Sequence, residues 1–254
     1  MESTLSDPQF PTLSRAPIAE ALVDIATELP GNVTLDELRA FCTDDIRKRF
    51  HHIQERIQAT SEIKFLGATP PRVTSDAHPD GLLMRSDEEA LMVQARLNGF
   101  TVNKFAPYVT WSQLKAQALP LWHEYVRIAR PSKVTRLAVR YTNHLELPVD
   151  RDLKECILTV PEIAPGIPQG LPEFFMRLVI PHESGCAAIV TLSTVHPRSN
   201  ADIYPIVLDI DAFRYVNLEG TNEEEIWSYL DELRQYKNLI FFKTLTPKFL
   251  EKYR

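Results

Sequence analysis

Apolar and polar positions along the chain fall into stretches of two distinct periods. From Ile18 to Leu29, Ala19, Ala21, Val23 and Ile25 alternate with Glu20, Leu22 and Asp24, a period of two that predicts a strand ended by Pro30-Gly31. Thr34 and Glu37 then have capping-box spacing, and Leu35, Leu38, Cys42, Ile46, Phe50 and Ile53 recur at helical intervals, which predicts a helix of about four turns. Residues 67–80, rich in proline and polar groups, read as a loop. Leu91, Val93, Ala95 and Leu97 alternate with polar or flexible neighbours up to Asn98-Gly99, and residues 100–105 return, the signature of a hairpin with a type I′ turn. A second capping-box spacing, Thr110 with Gln113, opens a helix with the stripe Trp111, Leu114, Ala118, Leu121, Trp122, Tyr125 and Ile128, and Pro120 is expected to kink it. Residues 134–147 predict a long strand with Leu137, Val139 and Tyr141 on one face and Arg136, Ala138 and Arg140 on the other.

The second part of the chain repeats this grammar. Prolines crowd residues 148–172, around a short helical candidate from Arg151 to Leu158. A hairpin over 174–195 turns at Glu183-Ser184-Gly185, and a strand over 204–216 leads to a helix from Thr221 with Ile226, Trp227, Leu230 and Leu233 facing inward. Leu239 to Leu245 predicts a last strand, and Thr246-Pro247 a short terminal helix through Tyr253. Phe105, Tyr108, Val109 and Thr110-Trp111 before one helix are matched by Phe213, Tyr215, Val216, Thr221 and Trp227 around the other. The expected fold is therefore α+β, a largely antiparallel sheet with helices on one face, built from two related halves. Residues 1–16 form an arm, 17–150 the first half and 151–254 the second, packed as one compact domain.

Composition narrows the function classes. A formal charge of −6 disfavours non-specific binding to nucleic acid or anionic membrane, both of which need a basic surface. Three widely spaced cysteines, Cys42, Cys156 and Cys186, read as buried thiols in a reducing compartment. The beginning Met-Glu-Ser-Thr-Leu-Ser-Asp-Pro lacks the basic and apolar regions of a signal peptide, and no apolar run is long enough to cross a membrane, so a cytoplasmic location is expected.

Among eight glycines there is no dinucleotide or Walker-type loop, and no serine or cysteine lies in a nucleophile elbow, so His144, His182 and His196 assemble no triad. His51-His52 with Glu55 has ligand spacing on a helix but no marked third ligand. Asp209 and Asp211 share a strand face, a spacing that could hold a divalent cation or serve as an acid/base pair. Arg136 and Arg140 also share a face and could grip a carboxylate or phosphate through forked hydrogen bonds. Their structural alternative is pairing with acids such as Glu20 and Asp24, should those strands be neighbours. Trp111, Trp122 and Trp227 are accounted for by core packing.

Three segments, Pro17-Ile18-Ala19-Glu20-Ala21, Arg140-Tyr141-Thr142-Asn143 with Leu147-Pro148, and Ile240-Phe241-Phe242 with Leu245-Thr246 and Phe249, resemble a sporadically distributed family of uncharacterised bacterial proteins of about this length. The family carries no established activity. Its patchy distribution resembles that of genes on mobile elements and implies an accessory role such as phage defence or toxin neutralisation. The leading expectation is a non-enzymatic binding or interaction protein, an antitoxin-like or sensor component of bacterial defence, with a protein partner, self-association and no cofactor. The alternatives are a metal-dependent hydrolase or nuclease using Asp209 and Asp211, and a small-molecule binder.

Overall fold

The computed structural model describes residues 10–64, 72–108, 110–149, 152–195 and 203–254, with the side chains of 60–64 and 72–75 left aside. Val109, Arg151 and His196 of the sequence reading lie outside the described residues, as do residues 1–9 of the arm and 67–71 of the expected loop.

Nine strands form one antiparallel sheet: β1 (Ile18–Glu28), β2 (His52–Lys64), β3 (Arg72–Ser86), β4 (Leu91–Arg96), β5 (Gly99–Phe105), β6 (Lys133–Pro148), β7 (Phe175–Pro181), β8 (Ala187–Thr194) and β9 (Ile203–Glu219). Their order is β2-β3-β4-β5-β1-β6-β9-β8-β7. Helices α1 (Leu35–Leu38), α2 (Asp44–Arg49), α3 (Trp111–Ala129), α4 (Glu223–Thr244) and α5 (Pro247–Leu250) complete the α+β fold.

The period-two pattern gives the sheet one buried face. Ala21, Val23 and Ile25 of β1, Leu137, Val139 and Tyr141 of β6, and Leu208, Ile210 and Ala212 of β9 are all buried. Against this face lies α3, where Trp122 and Tyr125 meet Phe100 at ring separations of 5.7 and 5.5 Å. Beside it α4 packs on β6 and β9. Thr110 caps α3 by accepting from the Gln113 N–H, and the helix runs through Pro120. The arm reaches the same side of the molecule: Phe10 stacks on Phe242, and the Arg15 N–H donates to the Tyr253 carbonyl.

Four expectations are corrected. The helix expected over residues 34–53 is two short helices, α1 and α2, because Thr43 restarts the backbone by accepting from the Ile46 N–H; His52 to Lys64 is then the strand β2. Part of the expected loop, 72–80, pairs with β2 as the start of β3. The β4–β5 hairpin turns on Leu97-Asn98 rather than on Asn98-Gly99, since Arg96 and Gly99 are paired across the ladder. Gly99 has φ +155, and a Cβ there would fall 2.6 Å from the Ile25 carbonyl oxygen. Leu239 to Thr244 is the C-terminal part of α4 and not a strand. Its apolar run satisfies either period, and Leu245 alone makes an isolated bridge, to Ile157.

Candidate functional site

Alternate residues of the central strands point away from the helices, onto an open sheet face. The register places Leu22 opposite Arg140 and Asp24 opposite Ala138 on β1 and β6. It also places Arg140 opposite Asp211 and Thr142 opposite Asp209 on β6 and β9. All four candidates named from the sequence therefore meet on one face. Each arginine engages acids of the same face: Arg140 Nε donates to both Asp209 oxygens, at 2.8 and 3.1 Å. Arg136 lies over the Phe213 ring, 4.8 Å from its centre, and reaches Asp211 at 3.0 Å and Asp24 at 3.5 Å. Arg96 of β4 donates to Asp24 at 2.7 Å, and Thr101 and Thr142 hydroxyls donate to Asp24 and Asp209. Asn103 donates to Glu20.

This lattice binds five strands together with charge-assisted hydrogen bonds among partly buried groups, Arg140 being half exposed. Burial raises the Asp211 carboxyl above its ordinary value, against the lowering pull of Arg136 and Arg140. The Arg140 guanidinium is raised by its hydrogen bond to Asp209. Arg136 and Arg140 thus already hold carboxylates, and Asp209 and Asp211 already hold guanidinium groups. Among the described residues no group of three or more His, Cys, Asp or Glu side chains could hold a metal ion.

At the β7 end of the same face the lattice gives way to apolar side chains. Phe175, Val179 and Tyr215 are 71%, 57% and 75% exposed. Val179 lies opposite Ile189, which lies opposite Asp211, so Val179 abuts the lattice; Phe175, in register with Ser193 and Val207, and Tyr215, in register with Arg136, stand toward opposite ends of the face. Tyr215 packs edge-on against Phe213, and β7 itself is an end strand whose outer edge is unpaired among the described residues.

His144 shares this face, exposed two residues beyond Thr142 and opposite Val207, and the other histidines described do not converge with it. His51 and His52 face Glu88 and Asp87 at 3.9 and 3.3 Å, while Glu55 pairs with Arg39. His182 Nδ1 and the Ser184 hydroxyl are hydrogen-bonded at 2.8 Å within the β7–β8 turn, and the His182 ring packs on Tyr236. Cys156 and Cys186 are buried. No helix of the described chain is long and apolar enough to cross a membrane.

A second cluster, absent from the sequence reading, lies on the helix-covered face. Lys237 occupies the core stripe of α4, with its Nζ 3.6 Å from the centre of the Tyr141 ring. The Tyr141 hydroxyl is hydrogen-bonded to that of Tyr108 at 3.0 Å. Burial, reinforced by Arg234, lowers the Lys237 amine to about 7, and burial drives the Tyr141 hydroxyl well above its ordinary value. The signal that could have found it is the interruption of an apolar stripe by a cation.

No protein-family model and no curated protein matches this chain.

Proposed function

We propose that the chain is a non-enzymatic binding protein whose recognition surface is the open face of the sheet. The observation that carries this reading is the exposure of Phe175, Val179 and Tyr215 on β7 and β9, along a face whose polar side chains are largely paired with one another. Large apolar side chains exposed to this degree on β7 and β9 bury little surface in the fold, and such side chains supply the buried centre of protein interfaces. Asp24, Asp209 and Asp211 are already paired with arginines, so docking over them does not require an unpaired charge to be desolvated, and exposed Arg177 stands between Phe175 and Val179 on the same face. The pairing of Asp209 and Asp211 with arginines favours this reading over metal-dependent hydrolysis. Two shallow concavities, of about 270 Å³ beside Glu146 and Lys252 and about 220 Å³ beside Trp122 and Gly220, lie below the usual range for a small-molecule pocket.

The reading has two extensions. The outer edge of β7, unpaired among the described residues, serves self-association by continuing the sheet into a second copy. The resemblance to sporadically distributed bacterial proteins supplies the setting, an accessory, antitoxin-like or sensor role in defence, and the recurrent Phe-Tyr grammar before α3 and α4 supports descent of the two flanks from one unit.

The test is capture from the native host with wild-type protein and with a Phe175→Ser/Val179→Ser/Tyr215→Ser variant. A stoichiometric protein partner that is retained by the wild type and lost by the folded variant supports the reading. Turnover of a nucleotide or nucleic acid that Asp209→Asn abolishes contradicts it.

A further inference from the structure

The inward stripe of α4 runs Ile226, Leu230, Leu233, Lys237, Ile240 and Thr244, all buried. Lys237 stands at its centre with only 7% of its surface exposed. A lysine at such a position destabilises the fold unless its charge is met, and an apolar residue of the same size would pack there more favourably. Among the described residues no carboxylate pairs with it. Among the described residues neither the Lys237 nor the Arg234 side chain has a hydrogen-bonding or ion-pairing partner.

On α4, Arg234 is the one charge that acts on Lys237. Asp231, one turn before Arg234, is held by the Trp111 indole at 2.5 Å and by Lys115 at 2.8 Å, both from α3. Glu232 pairs with Arg214 of β9 at 3.2 Å. From β6 comes the Tyr141 ring, and from the β5–α3 connection comes Tyr108, whose hydroxyl bonds Tyr141 and senses Arg234. Two cations and two hydroxyls therefore converge with no acid among them. Ala106 and Pro107, next to Tyr108, are exposed, so the cluster lies just beneath the surface of that connection.

We propose that Lys237 and Arg234, together with the Tyr108–Tyr141 hydroxyl pair, form a binding site for the oxyanion of a small ligand, a carboxylate or a tetrahedral phosphate-type group. The oxyanion accepts from the ammonium, the guanidinium and a phenol, and it supplies the negative charge the cluster lacks. Without ligand the amine sheds its proton near neutrality and relieves the cost of burial; with ligand it regains the proton, so binding and protonation are coupled. The site lies on the opposite face of the sheet from the proposed recognition surface and is independent of it.

The experiment is an NMR titration of the Lys237 side chain, assigned by its disappearance in Lys237→Met, followed against pH in chloride, acetate and sulfate at equal ionic strength. The midpoint near 7 in chloride is expected to rise by about one pH unit or more in one of the two oxyanions, a tenfold or greater preference for the charged amine. A larger rise in acetate identifies a carboxylate ligand, and a larger rise in sulfate a phosphate-type ligand. In Arg234→Gln the rise should shrink at least severalfold while the chloride midpoint moves up, because a neighbouring cation has been removed. Equal midpoints in all three salts, or an undiminished oxyanion effect in folded Arg234→Gln, would overturn the proposal.

Discussion

The Nζ of Lys237 lies 3.6 Å from the centre of the Tyr141 ring, inside the layer between α4 and the sheet. The ring offers its negative face to the ammonium, but that attraction does not compensate for full removal from water, and the amine falls to about 7. This lowering fixes the sign of a pH effect. Between about pH 7 and the ordinary lysine value of 10.5, the unfolded chain binds a proton at this position that the folded chain has released. Stability contributed by this group therefore rises with pH through that window, with a limiting slope of about 1.4 kcal/mol per pH unit. Urea unfolding at pH 7, 8 and 9 should show this rise in the wild type and a flatter profile in Lys237→Met. Identical slopes in the two proteins would contradict the burial of the amine.

The polar lattice of the open face makes its own prediction. Arg140 holds Asp209 against β6, and Asp209 is largely shielded from water. Removing the guanidinium in Arg140→Met leaves Asp209 with only the Thr142 hydroxyl among these contacts and should cost about 1–3 kcal/mol in urea unfolding. Arg140→Met/Asp209→Asn should lose less than the sum of the two single changes, because the second substitution removes the stranded charge. Strict additivity would show that the pair is not coupled.

Much of the fold was legible. The alternation in residues 91–96 and 134–147 marked β4 and β6, and the Thr110–Gln113 spacing placed the start of α3 at its cap. Edge strand β2 was not legible, because its polar residues lack a buried partner face, and Ile46 and Phe50 continued the apparent helical period across the break at Thr43. Residues 239–244 were misread because a continuous apolar run fits a buried helix or a strand equally well. For the site, the i, i+4 spacing of Arg136 and Arg140 and the i, i+2 spacing of Asp209 and Asp211 showed that each pair shares a face. That the two pairs meet depends on β6 lying beside β9, a long-range pairing that no local period encodes. Lys237 was passed over because a charge within an amphipathic helix ordinarily marks the solvent side.

Thr110→Ala removes the side-chain acceptor that satisfies the Gln113 N–H at the start of α3. The expected loss is about 0.5–2 kcal/mol, read from the urea midpoint with an unchanged m-value. A loss below that range would mean that the packing of Trp111 and Leu114 alone fixes the helix start.

Gly220, between β9 and α4, has no room for a side chain: a Cβ there would lie 1.9 Å from the Pro131 carbonyl oxygen. Gly220→Ala must push the α4 entry away from the α3–β6 connection, at a cost of about 1–3 kcal/mol or more. A variant as stable as the wild type would show that this approach is not close in solution.

The central claim is that the open face at β7, β8 and β9 recognises a partner through Phe175, Val179 and Tyr215. Its most direct test is sedimentation velocity combined with capture from the native host, on the wild type and the Phe175→Ser/Val179→Ser/Tyr215→Ser variant. The account predicts a stoichiometric protein partner that co-sediments with and is captured by the wild type and is lost by the folded variant. A wild type that is monomeric and captures nothing the variant does not capture would contradict it.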